Sequence, residues 1–286
     1  MGPLRARYRF FAGKGGVGKT TCAAASALRE AERGHDVLIV SIDPAHSLGD
    51  ALDAALGRDP VDVPVRGRGR LRALEMDADA ALDAWLAERR EVLREIASRG
   101  TYLAPAEIDR FFELALPGVD ELVALIELER VRKALGPELV VVDTAPTGHA
   151  LRMLETPATL AQIARVLDDM QEKHRVLAGA LMGGTYQGDA ADRLIADIDA
   201  QAQEVTAMLR DRASAAVTWI ALPEALSVAE TIDGTAALAR GGIAIDEIVV
   251  NRVTPAPSRP CALCDARRAE ERRAVKSLLD LERAPV

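Results

Sequence analysis

Short apolar runs punctuate the chain, separated by longer segments of mixed character. Six of them have the length and continuity of buried strands: 7–12, 37–42 (VLIVSI), 71–76 (LRALEM), 139–143 (LVVVD), 216–222 (AVTWIAL) and 247–251 (EIVVN). Continuous rather than alternating apolar runs indicate strands covered on both faces, and helical patterns lie between them. After the first run, TCAAASALREAERG is alanine-rich with Leu28 on one face, and Gly34 supplies the stop of a helix. The expected architecture is α/β, a mostly parallel sheet flanked by helices.

Two regions break the alternation. Over 78–135, Leu82, Trp85, Leu86, Leu93 and Ile96 recur near helical spacing, followed by Phe111, Phe112 and a run from Asp120 to Leu135. Over 157–213, Leu160, Ile163, Leu167 and Met170 form one stripe, and Leu194, Ile198, Val205 and Leu209 another. These read as an inserted helical subdomain, leaving 1–77, 136–156 and 214–286 as the core. Residues 65–70 (VRGRGR) read as a solvated basic turn. Pro255, Pro257 and Pro260 stiffen the approach to a last helix over 265–282.

Composition narrows the field. The 286 residues are 49% hydrophobic and 28% charged, enough for a large core and unlike a disordered chain. A net charge of −8 argues against a nucleic-acid partner. No apolar stretch approaches the roughly 20 residues of a spanning helix, and MGPLRARYRF runs into a strand without a hydrophobic signal region, so a cytoplasmic protein is expected.

The chemistry begins at GKGGVGKTT. Gly13, Gly18, Lys19 and Thr20 satisfy the phosphate-loop spacing, between a strand and a helix as that motif requires. Gly13, Gly15, Gly16 and Gly18 allow backbone N–H groups to close on phosphate oxygens. Lys19 is suited to the β- and γ-phosphates and the Thr20 hydroxyl to magnesium. The loop from Gly13 through Lys14, Val17 and Thr21 is the candidate Mg-ATP site of a P-loop NTPase. Lys14 is surplus to that motif. Asp43 follows the second strand, where a carboxylate can activate the attacking water or cap a helix starting near Ala45; the residues alone leave both open. Asp143 ends four apolar residues, the form of a strand whose acid sits near magnesium. Small residues follow it: Thr144, Ala145, Pro146, Thr147 and Gly148, then His149, which is as unspecific as His46.

GKGGVGKTT, DPAHSLGDAL and DTAPTGHALRMLETP resemble the motifs of the ArsA-type ATPases, a family of arsenite-pump ATPases and cytosolic targeting factors for tail-anchored membrane proteins. The wider class, which includes the MinD and ParA partitioning ATPases, shares this deviant Walker A loop with two lysines. The resemblance implies that Lys14 reaches the partner's nucleotide across a homodimer. It also implies that residues 41–52 form a first switch with Asp43 as water activator, and that 143–157 form a second. By the same resemblance, Asn251 contacts adenine, and Cys261 with Cys264 holds half of a zinc site shared between two subunits. A redox C-x-x-C is the competing reading; such a motif should open a helix after a strand, whereas this one follows a proline-rich loop.

The sequence also departs from the family. A single ATPase half is present, with no third cysteine near the helical insertions, unlike the arsenite pumps. Only six methionines occur, Met170 and Met182 among them, where the targeting factors have a methionine-rich groove. Leu177, Leu181, Phe111 and Phe112 are the other groove candidates, with bundle core as the plainer assignment. The family commonly continues into a further strand and an adenine loop beyond the point where this sequence stops. The expected function is a nucleotide-switched dimer that binds a hydrophobic helix of a client membrane protein or engages a membrane receptor or pump. Energising an arsenite or antimonite pump is the alternative. A MinD- or ParA-like partitioning switch is third, because the C-terminal helix has the mixed charge of a solvated one.

Overall fold

The computed structural model describes residues 6–45, 47–101, 104, 106–108, 119–144, 157–182, 187–243 and 245–283. Strands β1 (Tyr8–Gly13), β2 (Asp36–Ser41), β3 (Val61–Val63), β4 (Arg70–Glu75), β5 (Leu139–Asp143), β6 (Ala215–Ala221) and β7 (Ile245–Val250) form one sheet in the order β3-β4-β2-β5-β1-β6-β7. Every pairing is parallel except β3 with β4. The expected α/β sheet is therefore present, with strand ends displaced by one or two residues.

Strand β3 escaped the sequence reading. Only its third residue is buried, so it lacks an apolar run, and it pairs antiparallel along the sheet edge. Residues 65–69 are the turn joining it to β4. Arg70 opens β4 and grips Asp62 of β3 through two bonds of 2.7 and 2.9 Å. Basic character in VRGRGR thus serves partly to close a hairpin.

The central strands carry the core. Phe10, Leu38, Ile39, Val140, Val141 and Val142 have no exposed surface. Helix α1 (Lys19–Glu32) lies on them through Ala23, Ala24, Ala27 and Ala31, whose methyl groups allow a close approach. Helix α2 (Leu48–Leu52) follows β2, a few residues later than the helix expected near Ala45.

The chain divides into two compact units, Met1–Met76 with Arg132–Leu154 and Leu209–Val286, and Asp77–Val131 with Glu155–Met208. Helices α3 (Ala78–Gly100), α4 (Val119–Leu135), α5 (Pro157–Met182) and α6 (Ala190–Arg210) supply the second unit, α4 and α6 running on past its boundaries. Leu93, Ile96, Leu160, Leu167, Leu194 and Ile198 are buried, whereas Leu82, Trp85, Leu86, Ile163 and Met170 are half-buried, so the stripes read from the sequence are core in part. Helix α3 packs on α5: a Cβ at Gly100 would come within 2.3 Å of the Met170 Cβ, which makes Met170 a helix-packing residue. Leu177 is exposed on α5 with Val166 and Val176. Phe111, Phe112 and the side chains of Leu181 and Met182 lie outside the described residues. Helices α7 (Ala225–Arg240) and α8 (Ala262–Arg283) complete the first unit. Among the described residues no helix is long and apolar enough to cross a membrane.

Candidate active site

The carboxyl ends of the parallel strands bring the candidate residues together, as expected of such a sheet. Between β1 and α1 the loop turns through Gly16 (φ 78°) and Gly18 (φ 93°), a left-handed backbone that favours glycine. A Cβ at Gly18 would also stand 2.5 Å from the Asn251 amide nitrogen, so the close approach of the chain there requires glycine. The start of α1 has no side-chain cap and no acid in its first turn. Its amides and its positive dipole end therefore remain for an anion.

Lys19 is buried, and its Nζ donates to the Lys14 carbonyl at 3.2 Å. Burial pulls its pKa down, against Asp143 and Asp43, which hold it up. The Thr20 hydroxyl meets the Ser47 hydroxyl at 3.1 Å. Thr21, Gly15 and Gly16 are exposed, and Val17 is buried. Asn251 donates from Nδ2 to the Val17 carbonyl at 2.8 Å, while its Oδ1 accepts from Arg252 N. Its amide therefore holds the phosphate loop, a role separate from the adenine contact implied by resemblance.

Asp143 lies in register with Ser41 on one side and Phe11 on the other. Its Oδ2 accepts from Ser41 Oγ at 3.2 Å, and its Oδ1 is buried without a hydrogen-bond partner. Burial drives its pKa up to about 6, although the Thr20 hydroxyl and the Lys19 ammonium pull the other way. An orphaned carboxylate oxygen beside a threonine hydroxyl is hard-oxygen chemistry that fits magnesium or a water on it. Thr144 is structural here: its Oγ1 and N both donate to the Phe11 carbonyl. Ala145, Pro146, Thr147, Gly148, His149 and His46 lie outside the described residues.

Asp43 is half-buried. Its Oδ1 accepts from Ala45 N at 3.0 Å and its backbone N donates to Ser41 Oγ. That closes a turn of the Asx kind, and the helix-cap alternative falls because α2 starts only at Leu48. Lys14 sends its Nζ to Glu230 on α7, at 2.9 Å. Three contributors were missed in the sequence: Ser41, Ser47 and Glu230. Ser41 carried a faint signal as a polar residue within an apolar strand; Glu230 carried none.

Cys261 and Cys264 need a correction. Helix α8 opens at Ala262, not 265, so the pair does open a helix, with Cys261 Sγ accepting from Cys264 N at 3.4 Å. It does so after the proline-containing loop of residues 251–261 and not directly after a strand, so the ground on which the sequence set aside redox chemistry stands. The Cys264 thiol and amide hold the Cys261 pKa below its usual value, while Cys264, as the donor to Cys261, is pushed up. Among the described residues no group of three or more His, Cys, Asp and Glu could hold a metal. Two thiols make half of a tetrahedral zinc set.

Over residues 6–281 the chain matches the anion-transporting ATPase family. It is 32% identical over 286 residues to the ATPase GET3 of Malassezia globosa, covering 96% of this chain and 81% of that one. It is 34% identical over 301 residues to Protein Rv2184c of Mycobacterium tuberculosis, covering 97% and 68%. To the ATPase GET3B of Arabidopsis thaliana it is 31% identical over 293 residues, covering 94% and 69%. Because the family match spans the phosphate loop together with the strands and helices that position it, the chain belongs to the anion-transporting (ArsA-type) ATPase family and is an ATP hydrolase.

Proposed function

We propose that this ATPase is a nucleotide-switched homodimer that captures hydrophobic helices of tail-anchored membrane proteins and targets them. The observation that carries the nucleotide half is Asp143 Oδ1, buried and unpartnered beside Lys19 and Thr20. In this reading the loop amides of Gly13–Lys19 grip the β- and γ-phosphates, and Lys19 neutralises them. Thr20 and Asp143 would hold magnesium, which when bound would supply charge neutralisation for the transferring phosphoryl group. Asp43 orients the attacking water and accepts its proton as the bond to the leaving oxygen breaks. Residues 143–149 answer the γ-phosphate as the second switch.

Lys14 is held by Glu230 until a phosphate of the partner subunit's nucleotide replaces the carboxylate. Cys261 and Cys264, with their copies in the second subunit, close a zinc site that ties the dimer. Exposed Val166, Val176 and Leu177 on α5 belong to the surface that meets the client. Support for the targeting role comes from the motif resemblance and from these exposed apolar side chains.

Asp43→Asn should keep ATP bound while hydrolysis falls about a hundred- to ten-thousand-fold, the usual worth of a general base. The trapped protein should co-purify with single-helix membrane clients identified by mass spectrometry, and elemental analysis should find one zinc per two chains. Serine at 166, 176 and 177 should cost capture but leave ATP turnover intact. Turnover at the wild-type rate in Asp43→Asn would remove the base. An ATPase rate raised by arsenite or antimonite, without client capture, would favour the pump instead. Protein that carries no zinc yet remains dimeric would return the cysteines to redox or structural work.

A further inference from the structure

Helix α2 is capped from outside its own segment. Ser47 stands at its N-cap, where a serine hydroxyl ordinarily accepts from an amide of the first turn. Here Ser47 makes no such bond; its backbone is helical and its hydroxyl is engaged with Thr20 Oγ1 at 3.1 Å. The first amides, Leu48 N and Gly49 N, instead both donate to Glu75 Oε1, at 3.1 and 3.0 Å. Glu75 is the last residue of β4 and pairs with Ser41, which pairs in turn with Asp143. Further bonds bind this row: Met76 N donates to the Ser41 carbonyl and Ile42 N to the Asp143 carbonyl. The carboxylate that caps α2 therefore rises from the same rigid sheet edge as Asp143.

We propose that Glu75 is a positioning residue for ATP hydrolysis: by capping α2 in place of Ser47, it releases the Ser47 hydroxyl to Thr20 and fixes residues 47–52 against the phosphate loop. A carboxylate suits this task, since one oxygen accepts two amides and its charge complements the positive helix end. Without it, Ser47 is the nearest replacement cap, and its hydroxyl turns from Thr20 to the helix. Thr20 then loses one of the two groups that orient it, and Asp143 alone remains. The loss is felt in magnesium binding, whereas a cap that served only the fold would be felt in stability alone.

This inference rests on Thr20 as the magnesium ligand, and calorimetry separates the two. ADP is titrated into the intact protein with magnesium and with EDTA, and the ratio of the two affinities is magnesium's contribution. Glu75→Ala should lower that ratio about five-fold, the size expected for loss of one cap, with the EDTA affinity unchanged. Ser47→Ala should do the same, and the double variant should be no worse than Ser47→Ala. Glu75→Gln, whose amide oxygen still accepts both amides, should keep the wild-type ratio. Should Glu75→Ala fail to fold, Glu75→Asp, too short to reach both amides, replaces it and should show the same loss.

An unchanged ratio with a lowered melting temperature would overturn the proposal, as would losses that multiply in the double variant. A glutamine variant as impaired as the alanine one would also overturn it, since capping would then not be the cause. Wild-type ADP binding indifferent to magnesium would instead sink the assignment of Thr20.

Discussion

Two aspartates, one fully buried and one half-buried, show how differently the two units treat a carboxylate. In the nucleotide-binding unit, Asp143 is fully enclosed, keeps one oxygen without a partner, and has its pKa raised to about 6 by burial. In the helical unit, Asp189 is saturated. Its Oδ1 accepts from Ala191 N, Asp192 N and Gln171 Nε2, and its Oδ2 from Arg99 at 2.6 Å. Burial works to raise its pKa too, but Arg99 and the two amides outweigh it and hold the carboxyl well below its ordinary range. Arg175, bonded to Asp168 at 2.6 Å and to Asp192 at 2.7 Å, extends the same closed network. Engaging both carboxylate oxygens ties the helices together, while leaving one without a partner preserves binding capacity for a ligand.

The sharpest break of this comparison is a crossed pair of variants. Lys19→Ala should weaken nucleotide binding by about a hundred-fold or more, since a buried charge-assisted contact to phosphate is lost. Its melting temperature should hardly fall, because burial already disfavours that ammonium. Arg99→Ala should do the reverse, costing about 1–3 kcal/mol of stability by stripping Asp189 and Gln171 while ATP binding holds. Calorimetric titration and thermal melts read both effects. Loss of binding in Arg99→Ala would show that the networks are not separate.

Acidification should separate the aspartates by sign. Asp143 has a folded pKa above its ordinary 3.8, so the folded state takes its proton first. The cost of burying its charge is therefore full above about 6 and relieved as pH falls toward 3.8. The melting temperature of nucleotide-free wild type should rise relative to Asp143→Asn as pH falls through that window. Asp189, with a lowered pKa, contributes fully above 3.8 and loses its contribution only below it. The difference between wild type and Asp189→Asn should therefore stay flat through the window and shrink at lower pH. A rise through the same window in Asp143→Asn would assign the effect elsewhere.

The smallest effect belongs to Lys14. Both side chains of the Lys14–Glu230 pair are about one-third exposed, and such a pair is worth little. Glu230→Gln should raise ATP affinity or turnover by only about two- to five-fold, within the range of a surface ion pair, and less in high salt. The gain should vanish when Lys14→Ala is added. A gain that survives that second change would mean Glu230 merely repels phosphate.

Legibility in the sequence followed locality. The strands β1, β2 and β5 were plain because each is buried on both faces and most of its residues are apolar. The phosphate loop was plain because its chemistry lies within nine consecutive residues. Strand β3 was invisible because its pairing with β4, not its own residues, makes it a strand. The start of α8 was displaced because a cysteine sulfur at Cys261, an unusual cap, begins it. Nothing in the sequence marks Glu75 or Glu230, and only the fold brings Leu48 or Lys14 to them. Asp43 stood evenly between base and cap until the position of α2 removed one choice.

The place of β1 in the sheet bears on how the protein is made. Its neighbours are β5 and β6, and the loop that follows it is held by Asn251. During synthesis the GKGGVGKTT segment emerges well before β5, β6 and Asn251, which flank and hold it. Sequence-distant pairing of this kind slows folding and leaves strand edges open meanwhile. A nascent chain therefore cannot assemble its nucleotide grip until residue 251, 234 positions after the Val17 carbonyl it holds, has left the ribosome.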